Sequence, residues 1–251
     1  MSVSPRHTVP VSAAPRVLDR VRASPDTPPG DGLRLLHRAR LAAYVDLDGW
    51  ALGLVDPLAS RPPNALVLGP GVLAGLTLDD VRVRAGRLLL DGRPVAVCRL
   101  HDPTVPTVPT VPTVPSVPSL GGDGPEPDPP DVAALVGRGA GLTPEGDDLL
   151  CGWLAAHRAT GTPTPRTDAL VRAHLHRTTL LSATLLEAAL LGETLPELGA
   201  WLASRGGPHE PARAAALTAV GHTSGAALLR GARCALGRRP LCVPHLPGAA
   251  A

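Results

Sequence analysis

The sequence has 251 residues, a formal net charge of +2, 44% hydrophobic and 18% charged residues, so it can form one large domain or two small ones with buried cores. Aromatic residues make up only 2% and the arginines are spread along the chain, which argues against a nucleic-acid-binding surface. No stretch approaches the ~20 apolar residues of a membrane-spanning helix, which argues against a membrane protein.

The first 32 residues are rich in Pro, Ser and Arg and lack the apolar stretch of a signal peptide. We therefore expect residues 1–32 to be a disordered extension. Cysteines at positions 98, 151, 234 and 242 show no spacing typical of metal or redox sites. These features favour a reduced, cytoplasmic protein.

Residues 33–101 contain short apolar runs separated by turn signals. Asp48-Gly49 lies between two such runs, and Ala85-Gly86 and Asp91-Gly92 separate later ones. An Asp-Gly pair between apolar runs is a strong signal for a β-hairpin. This segment is therefore predicted to be an antiparallel β domain of the meander type.

Residues 102–130 are of low complexity. A Pro-Thr-Val repeat begins at Pro103 and continues to Ser119, and a Gly-, Pro- and Asp-rich segment follows. Proline at every third position favours polyproline II and excludes a helix. A surface spacer is the simplest interpretation, and recognition by an aromatic-groove domain is the alternative.

Residues 131–237 have helical periodicity, and the Pro-rich segment 238–251 is predicted to be an irregular tail. The predicted helices are 144–159, 168–191, 195–204, 211–220 and one from about 224 to 237. Together the two structured segments predict an α+β protein in which a β domain precedes a helical domain.

The stretch from Gly137 to Gly152 carries the strongest functional signal. Gly139 and Gly141 precede a predicted helix in which Thr143 would be the N-cap and Pro144 the first residue, and Gly146 lies in the first turn. Such a loop, together with the free amides of the first helical turn, is suited to bind an anion. Arg138 could add a guanidinium contact to a carboxylate or phosphate.

Two adjacent acids, Asp147 and Asp148, follow this loop. A carboxylate near a helix N-terminus is often only a structural cap, since the helix dipole stabilises it. The second acid suggests a role as a Mg²⁺ ligand, as an acceptor for a substrate amide, or as a base. Cys151 is expected to be a core residue rather than a nucleophile.

Two further segments contain polar candidates. His222 and Ser224 lie in a Gly-bounded turn before the last helix, where they would contact an anion or form a plain capping turn. Thr178 and Ser182, with His174, would form one polar line on the second long helix. That line would be a pocket wall or a set of hydroxyls bonded to their own helix.

The run from Gly139 to Gly152, Gly-Ala-Gly-Leu-Thr-Pro-Glu-Gly-Asp-Asp-Leu-Leu-Cys-Gly, resembles the signature of a bacterial family that includes AllH, the small subunit of oxamate carbamoyltransferase in allantoin catabolism. The resemblance is specific in this run and loose in the β segment. The Pro-Thr-Val repeat and the N-terminal segment look like additions particular to this chain.

The resemblance implies a subunit of an enzyme that moves a carbamoyl group between an oxalurate-like ureide and phosphate. It also implies an FdrA-like and a larger companion subunit. Asp147, Asp148 and His222 would be the catalytic candidates. Those for anion binding would be Arg138, Gly139, Gly141, Thr143, Gly146, Thr178, Ser182 and Ser224. The alternatives are a non-catalytic subunit that binds a small anion and a purely structural subunit.

Overall fold

The structure, a computed structural model, describes residues 8–108, 127, 129–237 and 241. The chain forms two compact units that divide between Pro103 and Thr104. The first contains a β-sheet and the second contains helices. This arrangement confirms the predicted α+β class.

The β unit contains one helix, α1 (Pro15–Ala23), and a sheet of eight strands. The strands are β1 (Val9–Ala13), β2 (Leu35–Arg38), β3 (Ala42–Asp46), β4 (Ala51–Val55), β5 (Ala65–Leu68), β6 (Val81–Arg84), β7 (Arg87–Leu90) and β8 (Arg93–Leu100). Their order in the sheet is β2-β3-β4-β5-β1-β8-β7-β6. A 3₁₀ turn at Leu73–Gly75 precedes β6.

The hairpins predicted at Asp48-Gly49 and Ala85-Gly86 join antiparallel pairs, β3 with β4 and β6 with β7. Both turn residues have positive φ in each case, as a two-residue hairpin turn requires. The sheet is nevertheless mixed, and the prediction of a purely antiparallel meander is wrong. Strands β1 and β8 pair in parallel, and so do β4 and β5.

The prediction of a disordered extension before residue 33 is also wrong for the part that the structure describes. Strand β1 lies between β5 and β8 inside the sheet. Its alternate residues Val9, Val11 and Ala13 are buried, and Val17 and Val21 of α1 join the same core. This segment is short and Pro-rich, but it places enough apolar side chains in the core to be ordered by packing rather than by its own propensity.

The helical unit contains seven helices among the described residues. These are α2 (Val132–Leu135), α3 (Glu145–Ala159), α4 (Pro165–His174), α5 (Leu180–Leu190), α6 (Pro196–Ala203), α7 (Glu210–Thr218) and α8 (Ser224–Leu236). None of the helices in the described ranges is both long and apolar enough to cross a lipid bilayer.

Helix α3 is the central element of this unit, since almost every one of its residues is buried. It packs closely against α8 through glycines on both helices. A Cβ on Gly152 would lie 2.8 Å from the carbonyl carbon of Leu228, and one on Gly231 would lie 2.9 Å from that of Leu149. The two backbones thus touch directly at Gly152 and Gly231.

The predicted single helix over 168–191 is wrong. Helix α4 ends at His174, a 3₁₀ turn covers Leu175–Arg177, and Thr178 has an extended backbone with φ −122° and ψ 179°. Thr179 then caps α5 by accepting a hydrogen bond from the N–H of Ser182. A threonine that caps a new helix overrides the leucine periodicity that runs through the break.

The spacer and tail predictions lie mostly outside the described residues. Residues 109–126 and 128 of the spacer are not described, nor are 238–240 and 242–251 of the tail. The start of the repeat, Thr104 to Val108, is described and belongs to the helical unit. There Val105 is buried in the core of the helices.

Candidate functional site

The signature loop is fixed at both ends. On the near side the N–H of Arg138 donates to the carbonyl of Leu135 at 2.9 Å, and on the far side the N–H of Gly146 donates to the carbonyl of Arg138 at 2.9 Å. Gly139 has φ +117°, and a Cβ there would lie 2.7 Å from the nitrogen of Glu145. Only glycine fits this position without strain.

The amides available to a ligand are those of the loop, not those of the first turn of α3. The N–H of Gly146 is taken by Arg138, and those of Asp147 and Asp148 both donate to the carbonyl of Pro144. Across the described ranges, the N–H groups from Gly139 to Thr143 donate no hydrogen bond to the protein. Gly139 to Leu142 are also exposed, so solvent or a ligand can reach these amides.

Thr143 is not the N-cap of α3, which corrects the prediction. Pro144 is the capping residue, α3 starts at Glu145, and no side chain caps it. The hydroxyl of Thr143 instead lies 2.9 Å from that of Ser224, the first residue of α8. The polar residue before α3 is thus joined to the polar start of α8.

Asp147 is 1% exposed and both of its carboxylate oxygens are engaged. Oδ1 accepts from the N–H of Gly137 at 2.8 Å, and Oδ2 accepts from the hydroxyl of Thr178. Burial raises its pKa, while the hydrogen bonds from Thr178 and Gly137 and the nearby Ser182 hydroxyl act in the opposite direction. Asp147 therefore fastens the loop to the segment between α4 and α5.

Asp148 is 4% exposed, and its Oδ2 has no hydrogen-bond partner among the described residues. Burial raises its pKa to about 7. The hydroxyls of Ser224 and Thr143 counteract part of this rise, whereas the charges of Asp147 and Glu145 add to it. Near neutral pH this carboxyl can thus gain or lose a proton, and one of its oxygens is available to a ligand group.

Ser182 is a second buried group with unused hydrogen-bonding capacity. It is 1% exposed, and its Oγ makes no hydrogen bond of good geometry within the described part of the chain, although it lies close enough to Asp147 to affect its pKa. Unpaired buried polar atoms are uncommon because they lose hydration without compensation. A ligand or an ordered water molecule would satisfy this hydroxyl.

Cys151 lies one turn further along α3. The thiol is in the helical core, and burial, followed by the charges of Asp148 and Asp147, raises its pKa well above the ordinary value. A thiol that resists ionisation is a poor nucleophile, which agrees with its predicted place in the core.

The other predicted contacts differ in how far the structure supports them. The guanidinium of Arg138 has no hydrogen-bond or ion-pair partner in the described ranges and is half-buried beside the loop. His222 is exposed on the turn before α8, and nothing in the described residues links its side chain to the two acids. Gly146 has a packing role, since a Cβ there would lie 2.9 Å from the carbonyl carbon of Leu135.

Asp147 and Asp148 offer few unpaired oxygens to a metal ion such as Mg²⁺. Both oxygens of Asp147 already accept hydrogen bonds from the protein, which leaves Asp148 as a single ligand. The described residues include no group of three or more His, Cys, Asp or Glu side chains placed to hold a metal ion. A Mg²⁺ ion at this place would therefore take most of its oxygen ligands from water and from a substrate phosphate.

Two contacts of the site were not identified from the sequence as such. Thr179 donates from its hydroxyl to the carbonyl of Leu142 at 2.6 Å, which holds the exposed side of the loop. Glu145 pairs with Arg230 of α8 at 2.8 Å. The signal for Thr179 was present, because threonine is one of the preferred N-cap residues of helices.

A comparison with known protein families matches part of the helical unit. Residues 135–236 match the model of the family described as oxamate carbamoyltransferase subunit AllH, which is less than half of the chain and lies entirely in the helical unit. No curated protein and no solved structure matches the chain. This match, which runs from the last residue of α2 to the last residue of α8, supports an AllH-like family assignment for the helical unit.

Proposed function

We propose that this chain is a subunit of an oxamate carbamoyltransferase and that the loop Gly139–Thr143, with Asp148, binds the small anionic substrate. The observation that carries the proposal is the state of Asp148. Its carboxyl is buried, its Oδ2 is unpaired, and it lies at the start of α3 directly after a loop with free N–H groups.

The reactants of carbamoyl transfer match these groups in kind. Each carries a carboxylate or phosphate, and the transferred group is an amide. Loop N–H groups and the guanidinium of Arg138 complement the anionic part. The unpaired oxygen of Asp148 complements an amide N–H, which a loop of donors could not do.

Carbamoyl transfer requires a proton to be given to the departing amide nitrogen, or taken from it in the reverse direction. The carboxyl of Asp148 is suited to this proton transfer. When a ureide transfers its carbamoyl group to phosphate, a phosphate oxygen bonds to the carbamoyl carbon, the carbon–nitrogen bond breaks, and the departing amide nitrogen takes up a proton. In the reverse direction that nitrogen loses a proton. A carboxyl with a pKa of about 7 is suited to both steps at neutral pH.

Asp147 has a positioning role in this proposal. Its bonds to Gly137 and Thr178 hold the two segments that flank the loop, so that the loop amides keep one arrangement. His222 makes no contact with the reacting groups in this proposal. Ser182 would contact the substrate beside Asp147, and Ser224 would contact it beside Asp148.

A second candidate, a non-catalytic subunit that binds the anion, is favoured by one observation. Gly139 to Leu142 are exposed, whereas acid–base chemistry of this kind generally occurs where water is excluded. In the enzyme proposal, FdrA-like and larger companion subunits would supply the rest of the enclosure. In the binding proposal they would supply all of the chemistry.

The test is carbamoyl transfer by the assembled complex with Asp148→Asn. A loss of about 100-fold or more is expected, since that is the usual size of an acid–base contribution. Glu145→Gln is the matched control, because this acid is in the same turn but pairs with Arg230. Full activity of the Asp148→Asn complex would reject the catalytic role, and turnover by the companions alone would establish the binding-only alternative.

Anion binding is tested separately by calorimetry with phosphate, carbamoyl phosphate and oxamate. Arg138→Ala should weaken binding by about 10-fold, as expected for loss of one charge-assisted contact. Arg230→Ala, which removes the partner of Glu145, should not. Equal affinities of the two variants would show that Arg138 does not contact the anion.

A further inference from the structure

A second group of polar side chains lies in the β unit, at the end where β1 and β8 finish side by side. These strands run parallel, and the N–H of His101, the residue after β8, donates to the carbonyl of Ala13 at 3.1 Å. The hydroxyl of Ser12 and Nδ1 of His101 lie 2.9 Å apart. Val11 and Ala13 are buried in the core of the β unit, so Ser12, which lies between them, faces the other side of the sheet.

An irregularity in the pairing of β1 with β8 brings Arg99 to the same place. Val11 is paired with Val97, but the next residue, Ser12, is paired with Arg99. Cys98 is thus an extra residue on β8, as in a β-bulge. Bulges redirect the side chains that follow them and are frequent beside functional sites. Here the bulge places an arginine, rather than a cysteine, opposite Ser12.

The loop between β4 and β5 supplies a further positive charge, that of Arg61. Strand β5 is antiparallel to β1, with Leu66 opposite Ala13, so the loop before β5 lies at the end of the sheet where β1 finishes. Arg61 and Arg99 are both exposed, and within the described ranges neither guanidinium forms a hydrogen bond or an ion pair. Both charges are therefore available to a ligand from solvent.

His101 is half-buried and lies in surroundings of net positive charge. Burial is the largest cause that lowers its pKa, and the charges of Arg61 and Arg99 lower it further. Asp102 acts in the opposite direction, but it does not outweigh the other causes. The imidazole is thus mostly neutral near pH 7, and the positive charges beside it favour the approach of an anion.

A bound anion would reverse the preference of His101 for its neutral form, because a negative charge favours the imidazolium. Both nitrogens of an imidazolium are donors, so Nδ1 would then donate to the Ser12 hydroxyl and leave its O–H free to donate to the anion. Two guanidinium groups, an imidazolium and a hydroxyl together suit a doubly charged oxyanion. Phosphate has this charge and enough acceptor oxygens for all four groups.

We propose that this group of side chains, the basic cluster, binds phosphate, or the phosphate group of a phosphomonoester, together with one proton. The members of the basic cluster are Ser12, Arg61, Arg99 and His101. All of them belong to the β unit, so the site uses none of the residues that the proposed carbamoyl transfer requires. Uptake of the proton makes anion binding stronger as pH falls.

Magnetic resonance of the His101 ring in the full chain tests this proposal. Phosphate and sulfate are titrated into chain that is isotope-labelled at histidine, against sodium chloride of equal ionic strength, and His101→Gln assigns the signal. Sulfate is included because it stays doubly charged from pH 5 to pH 8, whereas phosphate itself titrates there. We expect both anions to raise the pKa of His101, and sulfate to bind about 10-fold more tightly at pH 5 than at pH 8, as for one added charge-assisted contact. No change in the His101 pKa with either anion would overturn the proposal.

Four substitutions separate the basic cluster from a general effect of charge. Arg61→Gln combined with Arg99→Gln should abolish the response of His101 to phosphate without lowering the melting temperature, since both side chains are exposed. Arg87→Gln, which removes a charge at an exposed position of β7, should retain the response, and so should Arg138→Ala in the helical unit. A response that survives the double substitution would indicate an adventitious ion only. A response lost in Arg138→Ala would assign it to the signature loop, and either result would overturn the proposal.

Discussion

The carboxylate of Asp147 accepts a hydrogen bond from the backbone N–H of Gly137 at 2.8 Å, across ten residues of chain that include the whole signature loop. This hydrogen bond joins the residues before and after the loop and so closes it. The neighbouring Asp148 makes no such bond with its Oδ2. Two consecutive acids therefore differ in state: Asp147 has both oxygens engaged by the protein, whereas Asp148 has one oxygen unpaired among the described residues.

Asp147→Ala should destabilise the chain by about 2–3 kcal/mol. The change leaves the N–H of Gly137 without its acceptor and removes the acceptor of the Thr178 hydroxyl, and bonds to a charged group are among the stronger ones in proteins. Urea denaturation of the purified chain measures the free energy of unfolding. Thr178→Val, which removes only one of the two bonds, should cost less, and a larger loss for Thr178→Val would contradict the assignment.

The sequence was sufficient to predict α3 almost to the residue and the hairpin at Asp48-Gly49, because both depend on local signals. Helical periodicity determines the first, and a turn with positive φ determines the second. It was insufficient for β1, whose place between β5 and β8 depends on partners more than fifty residues away. Strand order in a mixed sheet is a tertiary property that no short pattern contains.

The candidate site also has some features that local sequence signals predict and others that depend on tertiary contacts. Glycine spacing indicated the loop, but which amides remain free depends on bonds made by Pro144 and Arg138 carbonyls, and these follow from the exact turn geometry. The break at Thr178 was missed because the leucines continue in helical register on both sides of it. The hydroxyl of Thr178, at that break, donates to Asp147 and not to Asp148, so this contact determines which of the two acids has both oxygens hydrogen-bonded.

Asp148→Asn should stabilise the chain above pH 7. A carboxyl whose pKa rises from 3.8 to about 7 on folding binds its proton more tightly in the folded state. Its contribution to stability is therefore favourable at low pH and is lost as pH rises from about 4 through 7. At pH 8 the asparagine variant should be more stable by up to about 4 kcal/mol, at ~1.36 kcal/mol for each pKa unit.

Thermal unfolding at pH 5 and pH 8 distinguishes this outcome from a general effect of the substitution. The gain in melting temperature should be larger at pH 8 than at pH 5. Asp79→Asn, which removes an exposed acid of the other unit, serves as the control. A gain that is the same at both pH values would show that Asp148 does not titrate in this range.

Gly152→Ala should cost more than about 3 kcal/mol, although alanine normally favours a helix over glycine by up to ~1 kcal/mol. The reason is that the added Cβ would clash with the backbone of Leu228, with its carbonyl carbon at 2.8 Å, so α3 and α8 would have to separate. Chemical denaturation or loss of soluble protein would register the effect. Gly75→Ala, where a Cβ meets no atom within 4 Å, should leave stability nearly unchanged.

The substitution His157→Phe should abolish the decrease in stability that His157 causes as the pH falls. His157 is 6% exposed and lies edge-on to the Trp153 ring, with centroids 4.0 Å apart. Burial, and then the charge of Arg158, lowers its pKa from 6.5 to about 4. The unfolded chain therefore takes up a proton between these values while the folded chain does not, so stability falls as pH falls through this range, by about 3 kcal/mol at most.

Unfolding measured from pH 7 to pH 4 should show that His157→Phe gains stability relative to the parent chain as the pH falls, while His209→Phe, at an exposed position, should follow the parent. Asp148 gives the opposite slope over much of the same range, so the two contributions partly cancel in the parent profile. The phenylalanine variant should consequently gain stability as pH falls below 6, whereas the Asp148→Asn variant should lose it more steeply. Parallel profiles for the parent and His157→Phe would mean that His157 takes up its proton in the folded chain as readily as in the unfolded one.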